Sequence, residues 1–330
     1  MPSYTIIAIN KHMPTNIIRY RLNQEISWGV VLNNNVYPLG NYSSLADLLV
    51  NGREQASNFT GGKNNFLPLN SVEILSPITS PCNIICQGRN YREHIIETGN
   101  DPDEKTFNLF FTKAPSSLTT AKGNIIRPQF VQLLDYELEL GLVIGKEINQ
   151  PENITNENLS DFIAGIFIAN DVSARDIQLS QNQWFKGKSF RTFCPTGPYL
   201  CLLNKEDFLK LYDLELKLWV NGELRQNANT KQLIYSPPET LTEMSGLMDL
   251  SIGDIVLTGT PGGVALQAPG KFMQKLANIV LSEQERMKLF ISKQLENPRY
   301  LKDGDKIRAS IQSSDGSINL GMQELLVSSK

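Results

Sequence analysis

Two glutamates one residue apart are the side chains of this chain whose spacing most suggests chemistry. Glu137 and Glu139 lie in the run 133–144, whose other residues are mostly apolar and typical of a strand. Alternate side chains of a strand point to the same face, so the two carboxylates are expected to lie side by side. Neighbouring ionised acids repel each other, and burial raises their pKa values further. We therefore expect a metal ion, an arginine or a lysine beside them.

A third acid follows the next apolar run. Asp171 comes directly after the run 162–170. Two glutamates and one aspartate make an oxygen-donor set that suits a hard divalent ion. A Glu-x-Glu pair on a strand is more often an ordinary solvated face. The metal interpretation therefore depends on the other motifs of the chain.

His94 is the next candidate, because the chain has only 2 histidines and His12 lies in the leading segment. Glu97 follows His94 by three positions, so the two side chains can meet on one helical turn. The carboxylate could then orient the imidazole as a proton acceptor. An exposed histidine with an ordinary helical partner is the alternative.

Composition limits the class of protein without choosing its reaction. A chain of 330 residues forms one large or two medium domains, and its 41% hydrophobic content supports a core. A net charge of -3 without a basic block argues against a nucleic-acid partner. The 4 cysteines match neither a disulfide scaffold nor paired zinc ligands, and no apolar stretch reaches membrane-span length. We expect a cytoplasmic protein that acts on a small molecule and contacts neither nucleic acid nor membrane.

The elements that must position these residues can be read along the chain. The runs 28–32 and 35–39 flank Asn33-Asn34 as a hairpin, a helical segment covers 43–49, and prolines at 68, 77 and 81 indicate a domain boundary. We predict a small N-terminal domain over 1–78 and a catalytic domain over 79–330. Further strands are predicted at 83–87, 109–113, 135–144, 162–170, 214–220, 254–258 and 306–312.

A helical insertion is predicted at about 271–297. Apolar residues recur there at helical spacing, and Ser282 with Glu285 forms a capping-box pattern. Its sequence does not indicate whether it covers the site or an interface.

Six short motifs occur together in one order along residues 81–326. They are Gly88-Arg89-Asn90-Tyr91-Arg92-Glu93-His94, Phe111-Thr112-Lys113, Asp135-Tyr136-Glu137-Leu138-Glu139-Leu140, Asn170-Asp171-Val172-Ser173-Ala174-Arg175-Asp176, Gly187-Lys188-Ser189-Phe190 and Leu257-Thr258-Gly259-Thr260-Pro261. Each motif is weak alone, but their joint order is specific. The chain resembles the fumarylacetoacetate hydrolase superfamily, in particular its acylpyruvase and 2-hydroxyhepta-2,4-diene-1,7-dioate isomerase branch.

The resemblance implies a mixed, mainly β fold. It consists of a fumarylacetoacetate hydrolase-like β-roll catalytic domain, a small N-terminal α+β domain and the helical insertion, commonly as a homodimer. It also implies Mg²⁺ or Mn²⁺, with Ca²⁺ as a substitute in a crystal, bound by Glu137, Glu139 and Asp171.

The same resemblance assigns catalytic roles to His94 and Glu97, which would activate water, and to Lys188, whose charge would stabilise a developing anion. Lys186, two residues before Lys188, matches no role and is expected to be solvated. Gln87 stands where fumarylacetoacetate hydrolase itself has an additional metal-binding aspartate, which argues against that particular substrate.

Five more residues match substrate-binding positions, and each has a structural alternative. Arg175 could instead neutralise Asp171 or Asp176, and Thr260 could serve only its turn. Tyr91 could be a core residue and Lys113 a surface one. The five are Arg175, Gln178, Thr260, Tyr91 and Lys113, whereas Asp135 and Asp176 are assigned structural roles.

The function implied is metal-dependent chemistry on a 2-oxo acid: C–C hydrolysis of an acylpyruvate or other β-diketo acid through a metal-stabilised enolate. The same chemistry supports 2-hydroxyhepta-2,4-diene-1,7-dioate isomerisation or decarboxylation, oxaloacetate decarboxylation, enol-keto isomerisation and 2-oxo-alkenoate hydration. A metal-binding structural protein without catalysis is the alternative from another class. An iron dioxygenase is disfavoured because the two histidines of its ligand set are absent.

Overall fold

In the described residues nineteen strands contain more of the chain than the helices do. The computed structural model describes residues 14–61, 65–97, 107–181, 183–267 and 282–329. The strands in the described ranges are β1 (Thr15–Leu22), β2 (Glu25–Leu32), β3 (Asn35–Gly40), β4 (Leu67–Pro68), β5 (Glu73–Leu75), β6 (Ile84–Gly88), β7 (Leu109–Lys113), β8 (Leu118–Thr120), β9 (Lys122–Arg127), β10 (Leu134–Asp135), β11 (Leu138–Ile144), β12 (Ile163–Asn170), β13 (Ser173–Ala174), β14 (Cys194–Leu202), β15 (Leu214–Val220), β16 (Glu223–Asn229), β17 (Ile255–Leu257), β18 (Lys306–Ser313) and β19 (Asn319–Ser329).

The helices are short and lie between the strands. The α-helices in the described ranges are α1 (Leu45–Asn51), α2 (Arg53–Ser57), α3 (Arg92–Glu97), α4 (Leu159–Phe162), α5 (Arg175–Ser180), α6 (Trp184–Lys188), α7 (Pro237–Ser245) and α8 (Glu283–Leu295). Short 3-10 helices cover Leu69–Ser71, Pro115–Ser117, Lys205–Tyr212 and Thr230–Gln232. No helix in the described part is long and apolar enough to cross a membrane.

Three sheets organise these strands. The largest has 12 strands in the order β4-β3-β2-β1-β14-β12-β11-β17-β6-β7, with β5 and β8 paired beside β1 and β14. A 5-stranded sheet has the order β16-β15-β18-β19-β9, and β10 pairs with β13. The mixed, mainly β fold predicted from the sequence is thereby confirmed.

The N-terminal strands belong to the same large sheet as the catalytic motifs. β1 pairs antiparallel with β14, joining Thr15 to Leu202 and Ile17 to Leu200. The hairpin expected around Asn33-Asn34 is present as β2 and β3, and the expected helix is α1. The division of the chain at residue 78 stays a prediction.

The centre of the large sheet is apolar on both faces. Every residue of β11 and of β12 is buried, and apart from Glu139 and Asn170 both strands are apolar throughout rather than alternating. This composition is typical of strands covered on both sides. Their antiparallel register sets Leu138 opposite Asn170, so the start of β11 lies beside the end of β12.

The strand predicted over 135–144 is wrong in one detail, because it is interrupted. β10 ends at Asp135, β11 begins at Leu138, and Glu137 lies between them. The peptide N–H of Glu137 donates to the Asn170 side chain at 3.0 Å, and that of Asp171 donates to the Glu137 carbonyl at 2.8 Å. These contacts replace ladder pairing and hold Glu137 against the end of β12. The other predicted strands match observed ones to within three residues at each end.

Part of the predicted helical insertion is present as α8. Ser282 is its N-cap, and Ser282 and Glu285 form the capping box expected from the sequence. The first part of the insertion, 271–281, lies outside the described residues. Near the C-terminal end of α8, the Gln294 side-chain amide donates to the carbonyl of Gln267 at 2.8 Å. This hydrogen bond connects α8 to the rest of the predicted catalytic domain.

The β11–β12 pair offers a direct test of how tightly the site is supported. A Cβ at Gly141 would lie 2.3 to 2.6 Å from three ring atoms of Phe167, which is its partner across the ladder. We expect Gly141→Ala to lower the free energy of unfolding by about 1 to 3 kcal/mol, because a closely packed core must shift to accept a methyl group. Urea unfolding followed by circular dichroism measures this.

Gly246→Ala is the matched control. Gly246 ends α7 with φ -82°, and a Cβ there would come no closer than 3.5 Å to the Glu243 carbonyl oxygen. The free energy of unfolding of the Gly246→Ala variant is expected to equal that of the wild type or to exceed it by up to about 1 kcal/mol. Equal loss in both variants would contradict the packing described for β11 and β12.

Candidate functional site

Three acids converge where β11 begins and β12 ends. One carboxylate oxygen from each of Glu137, Glu139 and Asp171 lies within 4.8 Å of the others, and all three residues are buried. Glu139 is on β11, while Glu137 and Asp171 occupy the irregular backbone beside it. The three acids grouped from the sequence therefore lie together, although only one of them is part of a strand.

Buried cations hold two of these acids. The Lys188 ammonium donates to Glu137 Oε2 and to Asp171 Oδ2, each at 2.5 Å. The Lys113 ammonium donates to Asp171 Oδ1 at 2.5 Å, and the Arg175 guanidinium donates to Glu137 Oε1. Burial alone would raise the pKa of Glu137, but Arg175 and Lys188 outweigh it and lower that pKa to about 2.

Glu139 differs from the other two acids. Its Oε2 accepts the peptide N–H of Gly259 at 2.8 Å, and no ion pair joins it to a cation among the described residues. Burial and the neighbouring charges of Asp171 and Glu137 raise the pKa of Glu139 well above its ordinary value. Glu139 is thus the acid with most to gain from a cation.

The charges of the cluster favour one more cation. Asp135 pairs with Arg175 at 2.8 Å, so four carboxylates face three cations in the described cluster, which leaves one net negative charge. Three clustered carboxylates are oxygen donors of the kind that Mg²⁺, Mn²⁺ and Ca²⁺ prefer. The residues present therefore fit a divalent ion.

Close helix packing brings Lys188 to the acids. Lys188 ends α6, and a Cβ on the preceding Gly187 would lie 2.8 Å from the backbone nitrogen of Gln178 on α5. A side chain there would push the two helices apart, so glycine permits the approach. The Lys188 ammonium also lies 5.2 Å from the centre of the Phe111 ring, within cation–π range.

The turn after β17 forms another wall. Thr260 donates to the Leu138 carbonyl at 3.1 Å and accepts from Gln226 at 2.8 Å. Gln226 also accepts the peptide N–H of Leu138 at 3.0 Å. The turn is thereby bonded to the start of β11, where the acids converge.

His94 and Glu97 share one turn of α3, as their spacing predicts, but their side chains are not hydrogen bonded. His94 Nδ1 lies 3.9 Å from Glu97 Oε2. Both oxygens of Glu97 accept the peptide N–H of Gly263, at 2.9 and 3.0 Å. Nδ1 of His94 is buried without a hydrogen-bond partner among the described residues. Glu97 therefore supports the 259–263 segment rather than orienting the imidazole.

A cavity of about 200 Å³ opens onto these groups. This is below the usual range of pockets for drug-sized ligands, which is about 300 to 1,000 Å³, so a small ligand fits best. Polar and apolar side chains share its wall, which comprises Gln87, Gly88, Arg89, His94, Phe111, Glu137, Glu139, Arg175, Gln178, Leu179, Trp184, Lys188, Thr260, Leu266 and Phe290.

The model of the fumarylacetoacetate (FAA) hydrolase C-terminal family matches residues 83–324, which include every group of this site. The chain belongs to the fumarylacetoacetate hydrolase family. The resemblance drawn from the six motifs is thereby confirmed, and the chain is a member of an enzyme family.

Relatives within the family have related names. The chain is 40% identical over 210 residues to oxaloacetate tautomerase YisK of Bacillus subtilis, covering 62% of this chain and 68% of that protein. It is 39% identical over 230 residues to the mitochondrial oxaloacetate tautomerase FAHD2B of Bos taurus, covering 69% and 71%. The fumarylacetoacetate hydrolase structure from Exiguobacterium antarcticum matches with TM-score 0.71 and 31% identity over 96% of this chain and all of that one.

Most of the residues predicted for the site line the cavity of this family member. Those that do so are His94, Glu137, Glu139, Arg175, Gln178, Lys188 and Thr260. Glu97, Asp171, Lys113 and Tyr91 are not among the residues that line it. The surface position considered for Lys113 is wrong, since its side chain is buried against Asp171, and Tyr91 is buried too. Arg175 pairs with Asp135 and Glu137 instead of the acids suggested by sequence.

Several wall residues were not predicted. Arg89 is inside a recognised motif but had no predicted role. Gln226, which does not line the cavity but bonds Thr260 and Leu138, lies in no motif. Trp184 on α6 and Phe290 on α8 add apolar surface. The signal for Phe290 was its place in the predicted insertion, which thus contributes directly to the cavity.

Glu137 and Glu139 lie in different environments, so we expect their replacement to change the free energy of unfolding in opposite directions. The measurements are made in the presence of a metal chelator. At pH 7 we expect Glu137→Gln to lower the free energy of unfolding by about 3 to 5 kcal/mol, because Arg175 and Lys188 lose a buried partner. Glu139→Gln should raise it by about 1 kcal/mol or more, since each unit of a raised pKa costs about 1.36 kcal/mol. Urea unfolding measures both.

The pH dependence has a defined sign. The folded-state pKa of Glu139 is raised, so its stabilising contribution is present below pH 4.5 and is lost as pH rises through the folded value. The gain from Glu139→Gln should therefore shrink towards pH 5. A loss of stability in both variants would contradict the difference described between the two glutamates.

Proposed function

We propose that this protein is a divalent-metal-dependent enzyme that tautomerises the enol and keto forms of a small 2-oxo acid such as oxaloacetate. The observation that carries the proposal is one small cavity lined by Glu137 and Glu139 of the carboxylate triad, by the buried Lys188 ammonium and by His94. The choice of reaction is supported by the names of the bacterial and bovine relatives.

Glu137, Glu139 and Asp171 would hold the ion, for which we propose Mg²⁺ or Mn²⁺. When bound, the ion would supply Lewis-acid stabilisation of negative charge on the 2-oxo acid. The three carboxylates come from adjacent backbone segments, so the binding groups are prearranged by the pairing of β11 with β12.

Lys188 is suited to act as a fixed positive charge. Burial lowers its pKa, but Asp171 and Glu137 outweigh burial and raise that pKa above the ordinary value. The ammonium therefore keeps its proton at neutral pH and is a poor base. From the cavity wall it can stabilise the anionic form through which enol and keto forms interconvert.

His94 is the group proposed to move the proton. Tautomerisation removes one proton from the enol oxygen and adds one to the neighbouring carbon, and it neither consumes water nor breaks a C–C bond. A neutral imidazole on the cavity wall can accept one proton and return another. This role does not require Glu97, which accepts from Gly263.

Acylpyruvate C–C hydrolysis is the second candidate. It is favoured by the placement of His94 and Glu97 on one turn, with Nδ1 of the imidazole 3.9 Å from Oε2 of the carboxylate. Activation of a water molecule by this pair would need the Glu97 carboxylate to exchange its Gly263 contact for one to the imidazole. Tautomerisation needs no such exchange, which is why we rank it first.

The predictions of a homodimer and of cytoplasmic location remain proposals. One relative is named as a mitochondrial protein, so location differs from the expectation in at least one branch of the family. The metal-binding protein without catalysis remains the proposal from a different class, and the assay below separates it from the two enzymes.

A substrate panel distinguishes the reactions. With Mg²⁺ we expect the wild-type protein to accelerate decay of the ultraviolet absorbance of enol-oxaloacetate, without release of carbon dioxide. Acylpyruvate cleavage with isotopically labelled water would place the label in the product carboxylate and support the second candidate. Mg²⁺ binding without turnover of any 2-oxo acid would support the silent protein.

His94→Asn tests the proton-transfer role. We expect kcat for tautomerisation to fall by about 100- to 10,000-fold, the usual contribution of a positioned acid or base. Mg²⁺ affinity should be unchanged, because His94 is outside the triad. Lys186→Met is the control, as Lys186 is exposed on α6 and does not line the cavity. Equal activity of His94→Asn and wild type would exclude the role.

A further inference from the structure

Three cations line the cavity, and one of them differs from the others. Arg175 is bonded to Asp135 and Glu137, and Lys188 to Glu137 and Asp171. Arg89 forms no ion pair with any acid in the part of the chain that the structure describes, and it is exposed to solvent at the cavity wall. Its guanidinium is therefore available to a ligand, whereas the other two are committed to the protein.

The backbone at Arg89 is unusual for this residue type. Its φ is 56°, in the left-handed region that glycine and asparagine adopt most readily. An arginine at such a position is disfavoured unless the surrounding structure enforces it, and conformations of this kind are concentrated at binding sites. The unfavourable backbone is consistent with a function for the side chain.

Residues on both sides of Arg89 are fixed by buried hydrogen bonds. The Gln87 amide donates to Asn108 at 3.0 Å and to Thr240 at 2.8 Å. The Asn90 amide donates to the carbonyls of Tyr235 at 3.1 Å and Thr258 at 2.9 Å.

Asn90 also accepts, through its side-chain oxygen, the peptide N–H of Tyr235 at 2.8 Å. Thr258 precedes the turn that contains Thr260. The hydrogen bond from Asn90 to the Thr258 carbonyl therefore joins the segment around Arg89 to this turn. The position of Arg89 on the wall is thus set by the core, while no ion pair with a described residue holds its side chain.

The charges around the cavity match a ligand with two negative charges. The buried cluster has one net negative charge, and a divalent ion would change this to one positive. Arg89 adds a second positive charge beside it. A cavity of about 200 Å³ is small enough for one short molecule to reach both ends.

We infer that Arg89 binds the second carboxylate of a short dicarboxylic 2-oxo acid and so sets the substrate class of this cavity. The inference rests on the proposed function in assigning the 2-oxo acid end to the carboxylate triad. Arginine presents a planar pair of donors that match a carboxylate, so the contact discriminates against substrates with an apolar distal end.

Calorimetry with the Mg²⁺-loaded protein tests this without turnover. Malate and 2-hydroxybutyrate have the same 2-hydroxy acid end and four carbons, but only malate has a distal carboxylate. We expect wild type to bind malate more tightly by about 10- to 100-fold, as for a charged hydrogen bond. Arg89→Asn should abolish this preference and leave 2-hydroxybutyrate affinity within about threefold.

Two variants separate charge from folding. Asparagine tolerates the left-handed backbone, so Arg89→Asn should keep the urea midpoint of wild type. Arg89→Lys keeps the charge and should retain part of the preference. Lys186→Met, which removes an exposed cation away from the cavity, should retain all of it.

The inference fails if wild type shows no preference for malate, including no measurable malate binding, or if Arg89→Asn keeps the preference. Failure of the proposed function would give a different experimental result. A malate preference that depends on Arg89, in a protein that does not tautomerise oxaloacetate, would support the dicarboxylate site and reject the reaction.

Discussion

The burial of three carboxylates within 4.8 Å of one another is the constraint on which the rest of this site depends. Such a cluster is stable only when cations compensate it. Lys188 and Arg175 compensate Glu137, and Lys188 and Lys113 compensate Asp171, whereas Glu139 keeps only a peptide N–H. Among the described residues the protein thus supplies cation partners for two of the three acids, and only Glu139 is left for a ligand cation.

This division accounts for features that otherwise look unrelated. Two lysines are buried in the interior, which is rare unless they are paired. Lys188 reaches the acids because Gly187 lets α6 approach α5 closely. The apolar strands β11 and β12 exclude water around the cluster, which strengthens each ionic contact. Removal of any one of these features would therefore weaken the ionic contacts that the other features maintain.

Local sequence patterns were sufficient for part of this arrangement. Helical spacing predicted that His94 and Glu97 share a turn, and the apolar runs predicted β11 and β12 closely. The break at Glu137 was not predictable, because it depends on hydrogen bonds to residues about 33 positions away. The same holds for Arg89, whose left-handed backbone arises from contacts with distant segments of the chain. Long-range contacts, not local propensity, determine these details.

The arrangement of His94 and Glu97 bears on how one family scaffold can perform different reactions. Hydrolysis needs a base that is oriented to activate water, whereas tautomerisation needs only a group that can exchange protons with the ligand. Here both oxygens of Glu97 accept from Gly263, and Nδ1 of His94 has no partner among the described residues. An imidazole without a fixed partner can exchange its proton between two positions with little reorganisation. A change of one carboxylate's hydrogen bonds would therefore shift the scaffold between the two reactions without altering the three clustered acids.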